Sequence, residues 1–307
     1  MENELKPIKQ KKHFLYNLFN PQGNGKGVEK LPEGPDNISK CFKLLGRNIS
    51  NMFYLNLLFI FGNFPIFFGL LGFYFMESTT AASSSLFGPV SGAVAFNASP
   101  VTAALFGVHG AQVATNVPSS TSYLFWLLTL LVIFTFGFVN VGCAYIMRAI
   151  VKGQHFSLFS DFFSAIKRNL KQGFFMGIVD AILIAACVYA MAFYYMVGSQ
   201  LFLVSIIMMC FYVMMRYYFY IMLITFDLSI WKIIKNSLIF TLLGFKRNIL
   251  AFIGGLLMIF IEYMVLNIFM PLGIIFPFVL FFSVPMFFGT FAAYPKVKEI
   301  MIDPQLQ

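Results

Sequence analysis

Charge is what this sequence has least of. Only 11% of its 307 residues are Asp, Glu, Lys or Arg and 59% are hydrophobic, where an ordinary soluble domain carries roughly a quarter charged residues. That shortage excludes a water-solvated surface, and long stretches are apolar on every face, so lipid is the solvent that fits. Histidine is also scarce: His13, His109 and His155 all fall outside the apolar runs, which argues against haem held between facing helices. There is no HExxH, GxSxG, phosphate loop or paired-carboxylate helix. No catalytic, cofactor-binding or metal-binding residues are therefore expected, and the chain reads as non-enzymatic. The glycine-rich run PQGNGKGVEK, residues 21–30, follows no strand and lacks phosphate-loop spacing, so it reads as a connector. Cys41, Cys143, Cys187 and Cys210 occur singly, without CxxC, and are expected as free thiols packed like small apolar side chains. The first fifty residues hold no hydrophobic signal region, so the first membrane helix is expected to direct insertion.

What is present is a series of apolar runs, each near the 20 residues needed to cross a bilayer. Six qualify: Asn51–Met76, Tyr123–Met147, Gly173–Val197, Gln200–Thr225, Ile249–Met270 and Pro271–Phe291. Pro271, Pro277 and Pro285 bend the last, leaving a broken helix or a re-entrant pair as its alternative. The expected fold is an all-α polytopic membrane bundle of about six transmembrane helices, arranged as three hairpins with cytoplasmic interfacial helices. Residues 1–37 form a basic cytoplasmic segment, 38–300 a single transmembrane domain and 301–307 a tail.

The net charge of +9 follows topology rather than nucleic acid. Nine basic residues precede the first span, and further clusters lie at Arg148–Lys171, Lys232–Arg247 and Lys296–Lys298, whereas residues 77–122 contain none. By the positive-inside rule both termini are cytoplasmic and 77–122 is an external loop. A weak repeat respects this arrangement. An Arg-Asn pair, at Arg47, Arg168 and Arg247, opens each odd-numbered span after an amphipathic stretch. True triplication and a shared need for a basic residue and a cap explain it equally. The loop is too apolar to float freely and is expected to fold down as a cap with short helices.

Three ionisable residues fall inside the spans, where each costs about 2.5–3.5 kcal/mol at a helix centre. Asp180 and Arg216 are equidistant in sequence from Gly198, the centre of a tight turn, which puts both about 27 Å from that turn at 1.5 Å per residue. They are expected to form a structural intramembrane pair. Glu262 has no basic residue at its depth and is the candidate polar site, with Asn63 and Asn267 as supporting groups. It is expected to line a pocket open to the external side beneath residues 100–109. Asn56 and Asn140 read as interhelical glue.

The run FGFVNVGCAYIMRAIVKGQHFSLFSDFFSAIKRNLKQGF, residues 136–174, resembles the signature region of the YesL-like family, bacterial membrane proteins of unknown function. Gly137, Arg148, Gly153, Phe159, Phe162, Phe163, Lys167, Asn169, Lys171 and Gln172 carry the resemblance, and YLNLLFIFGNFP is similar to the family's first span. Val139 and Val141 replace the proline and threonine of its helix-end motif, and the long external loop looks like an insertion. The resemblance transfers no site residues. It implies a plasma-membrane protein whose relatives are often encoded beside carbohydrate ABC transporters, hence an accessory or regulatory partner of such a system, with permease subunits and the lipid bilayer as partners and no cofactor. A small-solute transporter or channel, and a membrane scaffold or assembly factor, are the alternatives.

Overall fold

The computed structural model describes residues 36–82 and 112–305. Its helices are α1 (Ile38–Arg47), α2 (Ile49–Gly62), α3 (Ile66–Tyr74), α4 (Ser120–Thr129), α5 (Val132–Lys152), α6 (Leu158–Arg168), α7 (Leu170–Met196), α8 (Leu201–Thr225), α9 (Ile230–Leu243), α10 (Phe245–Ile268), α11 (Met270–Phe276) and α12 (Ser283–Val297). Between α3 and α4 lie two strands, β1 (Met76–Ala82) and β2 (Gln112–Pro118). The architecture is an all-α bundle. Among the described residues, five runs are long and apolar enough to cross a membrane: Ser120–Lys152, Leu170–Met196, Leu201–Thr225, Phe245–Ile268 and Met270–Ile302. The pair α2 and α3, bent by 60° at its break, makes a sixth if the two helices are counted as one span.

The expected first span, Asn51–Met76, is thus interrupted at Asn63–Pro65, because Pro65 lacks an amide proton and fixes its φ, at −59° here. The chain forms two compact units, one of residues up to Ile60 and from Gly137, the other Phe61–Phe136. In the smaller unit β1 and β2 pair antiparallel over seven residues, from Met76 opposite Pro118 to Ala82 opposite Gln112. The ladder takes both flanks of the expected loop, which was read as a helical cap. The helical part of that reading falls on residues 83–111, outside the described residues. Below the ladder, α3 packs on α4: the Phe75 and Phe125 rings stack at 5.3 Å, and Gly72 admits the Trp126 indole to a position that any β-carbon would occupy.

In the larger unit the same substitution of hydrogen for a side chain brings α5 onto α7. A β-carbon on Gly137 would stand 2.1 Å from the Gly173 carbonyl oxygen and 2.8 Å from the Gly177 Cα. Gly173 and Gly177 lie four apart on α7, the small-residue spacing that lets membrane helices approach through their backbones. Two apolar clusters fill the unit, one around Tyr218, Phe219 and Met222 of α8, the other around Met52, Ile146, Met147 and Phe287.

The three interfacial stretches fold as α1, α6 and α9. In the first two the following asparagine closes the helix in the same way: the side-chain amide of Asn48 donates to the Leu44 carbonyl and that of Asn169 to the Ala165 carbonyl, each at 2.9 Å. The third departs, since Gly244 makes the turn and the Asn248 amide reaches Thr241 O at 3.1 Å. Helix α9 also exposes Leu238, Ile239, Leu242 and Leu243 in its last turns, where α1 exposes Arg47 and α6 exposes Lys167 and Arg168. Cys41 on α1 is buried, and desolvation pushes its thiol up to about 11, with the Arg247 charge opposing.

The proline-bearing last run is continuous from Met270 to Ile302 but loosens to a π-type turn at Pro277–Phe281. The backbone groups freed there need partners, because lipid offers none. Asn56 of α2 supplies them. Its amide nitrogen donates to Pro277 O at 2.8 Å, and its carbonyl oxygen accepts from the amides of Phe282 and Ser283 at 2.9 and 3.1 Å. Asn56→Leu is expected to strand these groups and destabilise the protein by roughly 1–3 kcal/mol, with Asn56→Asp, which keeps the acceptor, intermediate. Thermal unfolding in one detergent measures the order; equal melting of wild type and Asn56→Leu would show that the turn does not depend on Asn56.

Candidate functional site

The ends of α7 and α8 meet at Gly198, whose φ of +66° is natural only for glycine. From that turn the two helices run back antiparallel, so Asp180 and Arg216 arrive side by side. The Arg216 Nε lies 3.0 and 2.9 Å from the two carboxylate oxygens of Asp180, and Asp180 has no exposure at all. Two tyrosines of α8 complete the carboxylate shell. Tyr220 donates to Oδ2 at 2.6 Å, and the Tyr212 hydroxyl donates to Oδ1. Asn140 of α5 accepts from the far guanidinium nitrogen at 2.8 Å, which ties a third helix to the pair.

The sequence carried a sign of this shell that the reading above did not use. Tyr212, Arg216 and Tyr220 are four apart, so they stack on one face of α8 with all their polar tips available to a single partner on the facing helix. A lone intramembrane carboxylate invites a functional reading; one that accepts from three side chains is satisfied as a structural ion.

Arg216 keeps 24% of its side chain exposed. It does so at the wall of a half-open cavity of about 390 Å³, within the usual range for small-molecule sites. Asn140 and Tyr220 share that lining with Phe281 and Pro285 of the loosened last run and with Leu256 and Ile259 of α10, which are 47% and 55% exposed. Apart from the Arg216 cluster and Thr290, the lining is apolar or aromatic.

The other expected site is not assembled in this way. Glu262 is half-buried on α10, and its Oε2 is shielded from solvent without a hydrogen-bond partner among the described residues. It does not line the 390 Å³ cavity. Asn267, five residues on, is exposed and donates to the Tyr263 carbonyl of its own helix at 2.7 Å. Five residues of α-helix rotate by about 140°, so these two side chains leave α10 on different faces. Asn63 is buried in the break between α2 and α3, in the smaller unit. Residues 100–109, expected to lie over Glu262, fall outside the described residues. No group of three or more potential metal ligands occurs among the described residues.

The bundle and its apolar spans define a multi-pass membrane protein. A family model described as "Protein of unknown function, DUF624" matches residues 120–191. The match covers α4 to α6 and most of α7, and includes Asn140 and Asp180 but not Arg216. No curated protein and no solved structure matches the chain.

Removing Asp180 or Arg216 alone, as Asp180→Asn or Arg216→Met, is expected to cost about 3–5 kcal/mol by leaving one buried charge uncompensated, with the double variant markedly milder than their sum. Detergent thermal melts of the four proteins measure the coupling. Additive losses would mean that the two side chains do not act as a pair.

Proposed function

We propose that this chain is a non-enzymatic accessory or regulatory subunit of a bacterial plasma-membrane carbohydrate uptake system, with the permease subunit as its partner. The observation that carries this reading is the character of the 390 Å³ cavity: its lining includes the exposed Leu256 and Ile259, and its one charged group, Arg216, is held by Asp180 and Asn140. A conduit for a polar solute needs wet, unspent polar groups along a path. A wall of phenylalanine, methionine and leucine instead favours an apolar insert, such as side chains of a neighbouring transmembrane helix. The YesL-like resemblance of residues 136–174 supplies the class of partner, through the genes that often lie beside those of its relatives.

The same reading places both termini in the cytoplasm. Its support is the absence of lysine and arginine from residues 77–122, against the basic clusters at the other connections. Impermeant thiol labelling of intact cells, on a background without the native cysteines, is expected to modify Ser84→Cys and to spare Lys296→Cys. The converse pattern would invert the topology.

A photoreactive amino acid at Ile259 is expected to cross-link, in native membranes, to the permease subunit of a carbohydrate transporter, and deletion of the gene to reduce uptake of that transporter's substrate. Failure to capture a permease, together with unchanged uptake, would overturn the accessory reading.

A further inference from the structure

A second groove, of about 530 Å³, lies between α1, α10 and α12. Its polar lining residues are Asp36, Asn37, Ser39 and Arg247, while Leu250, Gly254 and Leu257 recur at helical spacing on α10 and Phe288 lies against Gly254. Gly254 is needed for this shape: a β-carbon there would meet the Phe288 ring at 2.7 Å.

The charge in this lining is unbalanced. Asp36 is taken by Lys40 of its own turn at 2.8 Å. The Arg247 guanidinium donates to a neutral carbonyl, that of Phe291, at 3.0 Å, lies over the Phe291 ring and has no carboxylate partner among the described residues. A guanidinium presents five donors suited to a phosphate, and one backbone acceptor leaves that capacity largely unused. The length of the groove is equally telling. From Arg247 to Leu257 is ten residues, about 15 Å along the helix axis, which is half of a hydrocarbon core about 30 Å thick. The groove therefore offers a cation at the membrane surface and an apolar channel one leaflet deep.

We propose that this groove is a binding site for one anionic phospholipid of the bilayer, its headgroup phosphate on Arg247 and one acyl chain along Leu250, Gly254 and Leu257. The site is separate from the cavity at Arg216 and does not depend on what that cavity contacts. Headgroup charge supplies selectivity, and the groove supplies a fixed position for a chain that elsewhere exchanges freely with bulk lipid.

Native mass spectrometry of the detergent-purified full chain, offered phosphatidylglycerol and phosphatidylcholine with identical acyl chains, tests this. Wild type is expected to retain phosphatidylglycerol about fivefold over phosphatidylcholine, the ratio that about 1 kcal/mol for one surface cation gives. Arg247→Gln can still donate to the Phe291 carbonyl and is expected to melt like wild type but to bind the two lipids equally; Arg247→Lys keeps the preference. Leu257→Trp, which fills the channel from an exposed position, is expected to reduce both adducts. Excess inorganic phosphate is expected to displace neither. Equal retention of the two lipids by wild type overturns the site, as does a preference that survives Arg247→Gln, or displacement of phosphatidylglycerol by phosphate alone.

Discussion

A carboxylate with no access to solvent, at the depth of lipid tails, is tolerable only when its charge is matched and its lone pairs are filled. Asp180 meets both conditions through α8, and much of the larger unit's arrangement can be traced to that demand. The pairing with Arg216 fixes how far α7 can slide along α8, since a shift of one turn would separate the charges by about 5 Å. Asn140 brings α5 to the same point, where Gly137 already requires backbone contact with α7. Two residues on from Arg216, and so on the other side of α8, Tyr218 donates to Asn248 at 2.8 Å and connects α8 to the start of α10. Apolar packing alone is weakly directional in lipid, because tails are as apolar as leucine. The polar contacts decide which packing is adopted.

The same scarcity of partners governs the backbone. Several places where a helix ends or loosens within the bundle are met by a side chain. Arg148 of α5 reaches the Ile224 carbonyl and the Thr225 hydroxyl at the end of α8, at 3.1 and 2.7 Å, where the helix dipole also favours a cation. Asn56 serves the loosened turn of the last run, and Asn48 and Asn169 serve the bends between interfacial and spanning helices. In a soluble protein water would do this work. Here a handful of asparagines and arginines does it.

The spans were legible because hydrophobic length is set by the bilayer and needs no knowledge of neighbours. The meeting of Asp180 and Arg216 was legible because a tight glycine turn makes sequence distance a measure of depth. The tyrosines around them were harder, since an aromatic at four-residue spacing in a phenylalanine-rich helix looks like packing until a facing carboxylate gives it a role. Asn56 lay further out of reach: its partners are more than 220 residues away, and only the assembled bundle brings α2 to Pro277. The break at Asn63–Pro65 was signalled by the proline but outweighed by the unbroken hydropathy around it. The strands were missed because threonine, serine and alanine at residues 76–82 carry little alternation, and their pairing is with a segment thirty residues on. Glu262 stood out for its isolation in sequence, which says that a group lacks a partner and says nothing about what surrounds it.

The ladder between β1 and β2 sets Ala82 opposite Gln112, so the chain leaves and re-enters the described fold at one point. Seven paired residues carry that junction clear of α3 and α4, whose own contact at Phe75 and Phe125 lies beneath it. Positions 82 and 112 are therefore held at one place by the ladder, whatever number of residues separates them in sequence.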